Sequence, residues 1–86
     1  MRLDKYLQAS RLVKRRTLAN RLCDAGRVTL NGGQAKPAAE VKVGDVVGLS
    51  FGTHRLVVKV LRLPAVRPSA EPAFAVVEDQ RTVESW

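Results

Sequence analysis

Positively charged side chains are concentrated at one place near the start of the chain. Arg11, Lys14, Arg15 and Arg16 stand just ahead of a segment with helical periodicity. Lysine and arginine bind phosphate through their charge, and the planar arginine fork can also donate two hydrogen bonds at once or stack on a base. These residue types, on a turn that leads into a helix, favour the binding of phosphates.

The charge of the whole chain has the same sign but is unevenly distributed. The 86 residues contain 15 Lys and Arg against 8 Asp and Glu, a formal net charge of +7, which favours an anionic partner. Residues 1–27 contain eight basic and two acidic residues, whereas residues 28–86 contain seven and six. Aromatic residues make up only 5% of the chain, so recognition of folded RNA through its backbone and shape fits better than base stacking on single strands.

Two short amphipathic segments flank the basic turn and predict the helices that position it. The first runs from about Arg2 to Ala9, with apolar residues at i, i+3 and i+4: Leu3, Tyr6 and Leu7. The second runs from Arg15 or Arg16 to Ala25, and Gly26 is at its stop position. Its apolar residues fall at i, i+4 and i+7: Leu18, Leu22 and Ala25. At about 100° per residue these three share one face, and Arg16 lies roughly opposite. We expect the leucine face to pack on the core while Arg16 stays available to a ligand.

After Gly26 the apolar pattern changes to alternation, which predicts a small, mainly antiparallel sheet. A strand containing Val28 and Leu30 turns at Asn31-Gly32, a strong hairpin signal. Further strands are predicted at 46–51, after a turn at Gly44-Asp45, and at 54–63 and 73–78. Residues 64–72 contain three prolines and are predicted to form a loop. The expected fold class is α+β, with two N-terminal helices packed on the sheet.

The residues do not predict an enzyme, a cofactor or a metal site. His54 is the only histidine and Cys23 the only cysteine, so they make neither a metal site nor a nucleophile-base pair. We interpret His54 as a surface residue in a hairpin turn and Cys23 as a small packed hydrophobe. Gly32-Gly33 lacks the spacing of phosphate-binding loops and is interpreted as a turn. Three acidic residues also have simple structural interpretations: Asp4 as a helix-start charge, Glu40 as a loop charge and Asp45 as a turn residue.

Length and patterning predict one domain, over residues 1–78, followed by a short tail over 79–86. The chain is too short for a catalytic domain beside a binding domain. A single cysteine suits a reducing cytosol, and no signal-peptide core or run of about 18 apolar residues is present. A cytoplasmic location is therefore expected.

Three segments together resemble the S4 RNA-binding domain family. They are RLDKYL, KRRTLANRLCDAGRVTLNG and VKVGDVV, in this order and spacing, over about residues 1–52. The Ser-Arg pair that usually begins the second helix of this family is Arg15-Arg16 here, which replaces the serine and keeps the arginine. The resemblance implies the S4-like αL motif, RNA as the ligand, and the two-helix surface as the RNA-contact surface.

Among single-domain members, the chain is similar to bacterial ribosome-associated quality-control factors through RLDKYLQASRLVKRRTLA, NGGQAKPAAEVKVGD and its total length. This resemblance implies binding to obstructed large ribosomal subunits that still hold peptidyl-tRNA. Such a factor contacts large-subunit rRNA and the tRNA, and it holds the tRNA in place while an RqcH-type tailing factor adds C-terminal alanines. We expect a monomer that does not associate with a membrane.

The match to the S4 motif also predicts the contact residues. Arg2 and Arg16 come first. Six further basic residues are predicted to contact phosphates: Lys5, Arg11, Lys14, Arg15, Arg27 and Lys36.

Four other interpretations stay open. A heat-shock-type S4 protein that rescues stalled large subunits is related, but it has a longer basic C-terminal extension. Two short helices around a turn also suit a DNA-binding helix-turn-helix, although the sheet after Gly26 argues against one. The chain can also be interpreted as an accessory domain of an RNA-modifying enzyme, or as a protein-interaction module whose charge meets an acidic partner.

Overall fold

The computed structural model describes residues 1–51, 54–64 and 73–81. Within them lie two helices, α1 (Leu3–Ala9) and α2 (Arg16–Asp24), and five strands, β1 (Val28–Leu30), β2 (Gly33–Gln34), β3 (Val46–Phe51), β4 (His54–Val60) and β5 (Phe74–Arg81). The strands form one antiparallel sheet in the order β2-β1-β3-β4-β5. The α+β prediction is confirmed. Most of the predicted loop 64–72, and tail residues 82–86, lie outside the described residues.

Helix α1 follows its predicted apolar spacing, because the three residues at i, i+3 and i+4 are all fully buried. Its first turn is tied to the segment that precedes β3. The Leu3 N–H donates to the Ala39 carbonyl at 2.8 Å, and the Asp4 N–H donates to the Pro37 carbonyl at 3.1 Å. These bonds satisfy two of the donors that every helix start leaves open, and they fix the backbone at the first basic residues of the chain.

Helix α2 is rotated relative to its predicted apolar face. Its buried residues are Ala19 and Cys23, whereas Leu18 is 47% exposed, Leu22 is half-buried and Ala25 is exposed. Helix α2 packs against α1, and the small side chains of Ala19 and Cys23 allow a closer approach of the two axes than leucines would. The predicted orientation is therefore wrong, although Leu22 still packs at the edge of the core.

Cys23 packs in the core, as its sequence context predicts. Its side chain is only 3% exposed. Burial raises the pKa of the Cys23 thiol to about 11, and the charges of Asp4 and Asp24 act in the same direction. The thiol is therefore protonated at neutral pH, the form that is a poor nucleophile.

Helix α2 ends at the glycine that the sequence marks as its stop. Gly26 has a φ of +75°. Its N–H donates to the Cys23 carbonyl at 3.0 Å, and the Arg27 N–H donates to the Leu22 carbonyl at 2.9 Å. This pair of bonds is the Schellman ending, which turns the chain out of α2 and into β1.

Replacing Gly26 with alanine is expected to lower the free energy of unfolding by about 1–2 kcal/mol, because an L-residue is strained by that amount in the left-handed conformation. The new Cβ would also meet the Gln34 side chain, which must move. Gly33→Ala is the matched control, since the nearest atom to a Cβ there is the Leu30 carbonyl oxygen at 3.7 Å. Urea unfolding of both variants measures the difference, and equal losses would contradict this assignment.

The two predicted turns between strands are confirmed, and one side chain joins them. Asn31 and Gly32 have φ values of 53° and 85°, as a tight hairpin turn requires. The Asn31 Oδ1 accepts a hydrogen bond from the Val46 N–H at 2.9 Å, and its Nδ2 donates to Asp45 Oδ1 at 3.2 Å. The turn after β1 therefore holds the turn before β3.

One face of the sheet closes the core beneath the helices. The fully buried residues on this face are Val28, Val47, Leu49, Val58 and Val60. Val41, in the segment before β3, belongs to the same core. Strand β4 ends at Val60, before the end of its apolar run, and β5 continues to Arg81, beyond the predicted end at Glu78, because its pairing with β4 reaches His54. Residues 79–81 of the predicted tail thus belong to a strand. No helix in the described ranges is long and apolar enough to span a membrane.

His54 is the first residue of β4 and not a turn residue. It is half-buried, its ring meets that of Phe51 edge-on with the centroids 5.1 Å apart, and its Nε2 pairs with Asp79 Oδ1. These contacts link β3, β4 and β5 at one end of the sheet, so the role that they indicate for His54 is structural.

Candidate nucleic-acid interface

The two arginines predicted first as RNA contacts meet at one carboxylate. Asp4 Oδ2 lies 3.3 Å from Arg2 Nη2 and 3.4 Å from Arg16 Nε. Asp4 itself is only 2% exposed, whereas the Arg2 and Arg16 side chains are 51% and 50% exposed. The Asp4 Oδ1 accepts a hydrogen bond from the Lys5 backbone N–H at 2.7 Å. Asp4 lies in the first turn of α1, but it is more than a helix-start charge, because it bridges the two helices.

The pKa of the Asp4 carboxyl lies below its ordinary value of 3.8. Burial would raise it, but the Lys5 N–H bond and the charges of Arg16 and Arg2 together outweigh the burial. The carboxylate is therefore ionised at neutral pH. With both guanidiniums charged, the three side chains together carry one net positive charge toward solvent.

The contribution of Asp4 to stability is expected to disappear only in acid. Because its folded pKa lies below its unfolded pKa, the ionised carboxylate stabilises the folded state above about pH 4, and this is lost as the pH falls through the folded pKa. Asp4→Asn should therefore be less stable than wild type at pH 7, with a gap that narrows toward pH 2. Urea unfolding across this range measures the gap, and a constant gap would contradict the ion-pair assignment.

A surface depression lies beside the ion-pair cluster that Asp4 forms with Arg2 and Arg16. The depression is lined by Asp4, Arg16, Thr17, Asn20 and Arg21. Three of its lining residues were not predicted from the sequence as contacts: Thr17, Asn20 and Arg21. A hydroxyl, an amide and a second guanidinium are groups that hydrogen-bond to phosphates, sugars and base edges. Their spacing from Arg16, at i+1, i+4 and i+5, places them along one side of α2 and is the signal that could have found them.

All eight predicted contact residues are exposed: Arg2, Lys5, Arg11, Lys14, Arg15, Arg16, Arg27 and Lys36. Six of them lie just ahead of α1, on it, in the turn after it, or at the start of α2. Arg11 adopts a left-handed φ of 66° in this turn. Arg15 is the residue before α2 and makes no side-chain cap hydrogen bond, in keeping with the absence of the serine that is usual there.

The other two predicted contacts, Arg27 and Lys36, lie outside the two helices and the turn between them. Arg27 follows the opposite end of α2, a helix of nine residues and therefore about 13 Å long. Lys36 lines a separate depression with Cys23, Asp24 and Gln34. Six of the eight predicted residues therefore lie before, on or between the two helices.

Known proteins of similar sequence identify the family of this chain. The S4 domain model matches residues 1–47. The RQC P-site tRNA stabilizing factor of Listeria monocytogenes is 42% identical over 87 residues, covering 99% of this chain and 95% of that protein. The factor of the same name from Bacillus subtilis is 41% identical, covering 98% and 100%. The predicted similarity to quality-control factors of the RqcP type is confirmed.

A solved structure resembles this chain in both fold and sequence. The trimeric structure of Vibrio cholerae heat shock protein 15 matches with a TM-score of 0.79 and 30% identity, covering 90% of this chain and 81% of that chain. A heat shock protein 15 homolog of Aeromonas salmonicida is 35% identical, over 92% of this chain and 60% of that protein. Because two helices precede the sheet and the S4 domain model matches the segment that contains both helices, the chain belongs to the S4 domain family.

Proposed function

We propose that this protein is an RNA-binding factor of ribosome-associated quality control. In this proposal it binds large-subunit rRNA and tRNA on obstructed large ribosomal subunits, and it stabilises peptidyl-tRNA while an RqcH-type factor adds C-terminal alanines. It acts by binding and not by catalysis, as a cytoplasmic monomer. The observation that carries the proposal is the convergence of Arg2 and Arg16 on Asp4, in a chain similar over nearly its whole length to RQC P-site tRNA stabilizing factors.

The charge around the helix pair supports RNA as the ligand. Arg11, Lys14 and Arg15 extend the exposed basic surface from the ion-pair cluster along the turn between the helices. Charges held on a helix pair at fixed spacing suit the regularly spaced phosphates of a folded RNA. Such contacts position a protein on RNA by shape, which is what holding a tRNA against a subunit requires.

Recovery of the bound RNA from cells tests the proposal. Tagged protein is crosslinked in vivo and sedimented through a sucrose gradient, and the attached RNA is sequenced. Large-subunit rRNA together with tRNA, in the large-subunit fraction, is the expected result. Recovery of DNA, or of a protein complex that survives ribonuclease with no crosslinked RNA, would overturn it.

A second candidate function follows from the likeness to heat shock protein 15: rescue of stalled large subunits without a part in tailing. Loss of the protein from cells separates the two functions. Under the proposed function, nascent chains on obstructed large subunits lose their alanine tails. Unchanged tails would favour the second candidate.

Binding should also depend steeply on salt, because residues 1–27 hold eight of the 15 basic residues and only two acidic ones. Counterion release lowers the logarithm of the binding constant by about 0.7–0.9 per decade of salt for each neutralised phosphate. A titration of binding to purified large subunits from low to physiological salt measures the slope. An affinity that hardly changes would contradict phosphate-dominated binding.

A further inference from the structure

We propose that Asp4 is a positioning residue, whose buried carboxylate holds Arg2 and Arg16 in one fixed arrangement that receives an RNA phosphate. The proposal rests on the proposed function and deepens it, because it states how the ligand surface is prepared before RNA arrives. Asp4 does not touch the RNA. It acts through the two arginines, one ahead of α1 and the other at the start of α2.

The backbone keeps the Asp4 carboxylate in place. The Asp4 N–H donates to the Pro37 carbonyl at 3.1 Å, and Asp4 Oδ1 accepts from the Lys5 N–H at 2.7 Å. The backbone of Arg2, the residue before α1, is also held, because it forms an isolated antiparallel β-bridge with the backbone of Glu40. With Oδ1 held by the main chain, Oδ2 is the atom that faces both guanidiniums.

The contacts with Asp4 leave the outer nitrogens of both arginines out of the pairing. Arg16 approaches Asp4 through Nε, so its Nη1 and Nη2 lie outside this contact, and Arg2 approaches through one Nη only. Both side chains are about half exposed. Two guanidiniums anchored on their inner sides can present N–H groups to one phosphate, in the bidentate manner that arginine favours. Because the side chains are already ordered, binding loses less conformational entropy.

A role of Asp4 through net charge and a role through positioning predict opposite changes in RNA affinity when Asp4 is replaced. If only net charge mattered, replacing Asp4 with a neutral residue would strengthen binding to RNA. If Asp4 positions the arginines, Asp4→Asn should weaken binding to purified large ribosomal subunits by about three- to tenfold, the effect of freeing one or two ordered side chains. Asp24→Asn is the matched control, because Asp24 is an exposed carboxylate at the end of α2. It should bind as wild type or more tightly.

An Arg16→Ala background separates positioning from a general structural effect. There Asp4→Asn should weaken binding by a smaller factor than in wild type, because one of its two arginines is gone. Asp4→Asn that binds as tightly as wild type, or an equal loss in both backgrounds, would overturn the proposal. Wild-type protein that does not bind the subunits would instead contradict the proposed function, so the two failures are distinguishable.

A measurement on the wild-type protein does not depend on how any variant folds. NMR relaxation of the arginine Nε–H groups in the free protein reports side-chain order. Order parameters near those of rigid backbone, about 0.85, are expected for Arg2 and Arg16, against values below about 0.6 for a flexible side chain such as Arg15. Values for Arg2 and Arg16 as low as that of Arg15 would overturn the proposal.

Discussion

Replacing Arg16 with alanine is expected to weaken binding to large ribosomal subunits by about 1–3 kcal/mol, which is roughly 5- to 150-fold. The side chain is half exposed at the start of α2 and lines the depression beside the ion-pair cluster. Its loss removes a charge and an ordered donor of hydrogen bonds from the proposed phosphate site. Sedimentation with purified subunits at fixed salt measures the change.

Arg55→Ala is the control for this prediction, because it removes the same charge from an exposed position on β4, away from the helix pair. It should weaken binding far less. Arg16 also pairs with buried Asp4, so Arg16→Ala should reduce stability by more than the roughly 0.5 kcal/mol of an ordinary surface change. Binding is therefore measured at a temperature where both variants are fully folded. Equal losses from the two variants would mean that the ligand surface lies elsewhere.

Replacing Leu7 with alanine is expected to lower the free energy of unfolding by about 2–5 kcal/mol, because its side chain is fully buried and its removal leaves a cavity. Leu18→Ala makes the same chemical change on α2 at a residue that is 47% exposed, and it should cost less than about 1 kcal/mol. Leu22→Ala, at a half-buried position, should fall between them. Urea unfolding of the three variants measures the order, and a Leu18 loss as large as that of Leu7 would contradict the observed face of α2.

The parts of the fold that could be predicted from sequence are those encoded by neighbouring residues. Gly26 ends α2, and Asn31-Gly32 makes a hairpin, because each requires a backbone conformation that few residues adopt. The spacing of apolar residues in α1 was likewise enough to find its buried face. Where a single turn of chain contains all the determinants, the pattern and the structure agree.

The parts that could not be predicted depend on what lies across the fold. The buried face of α2 is set by its packing against α1, where Ala19 and Cys23 are buried in place of the larger leucines. The end of β5 is set by the length of its partner β4. From its place in the sequence Asp4 looks like an ordinary helix-start residue. No neighbouring residue indicates that its carboxylate is buried or that Arg2 and Arg16 both pair with it. The arginines were predictable from the motif, whereas the group that brings them together was not.

The hydrogen bond from the buried Tyr6 hydroxyl to the Ala73 carbonyl, at 2.9 Å, has a consequence for how the chain folds during its own synthesis. Tyr6 is among the first residues made, but its acceptor is 67 positions later. Until residue 73 has been added, the phenolic O–H in the first helix lacks its buried partner, and β4 is paired with β3 but not yet with β5. Closure of so long a loop is slow compared with local helix formation. The two helices can therefore pack on each other early, but the core is complete only after residue 73 and β5 have been added.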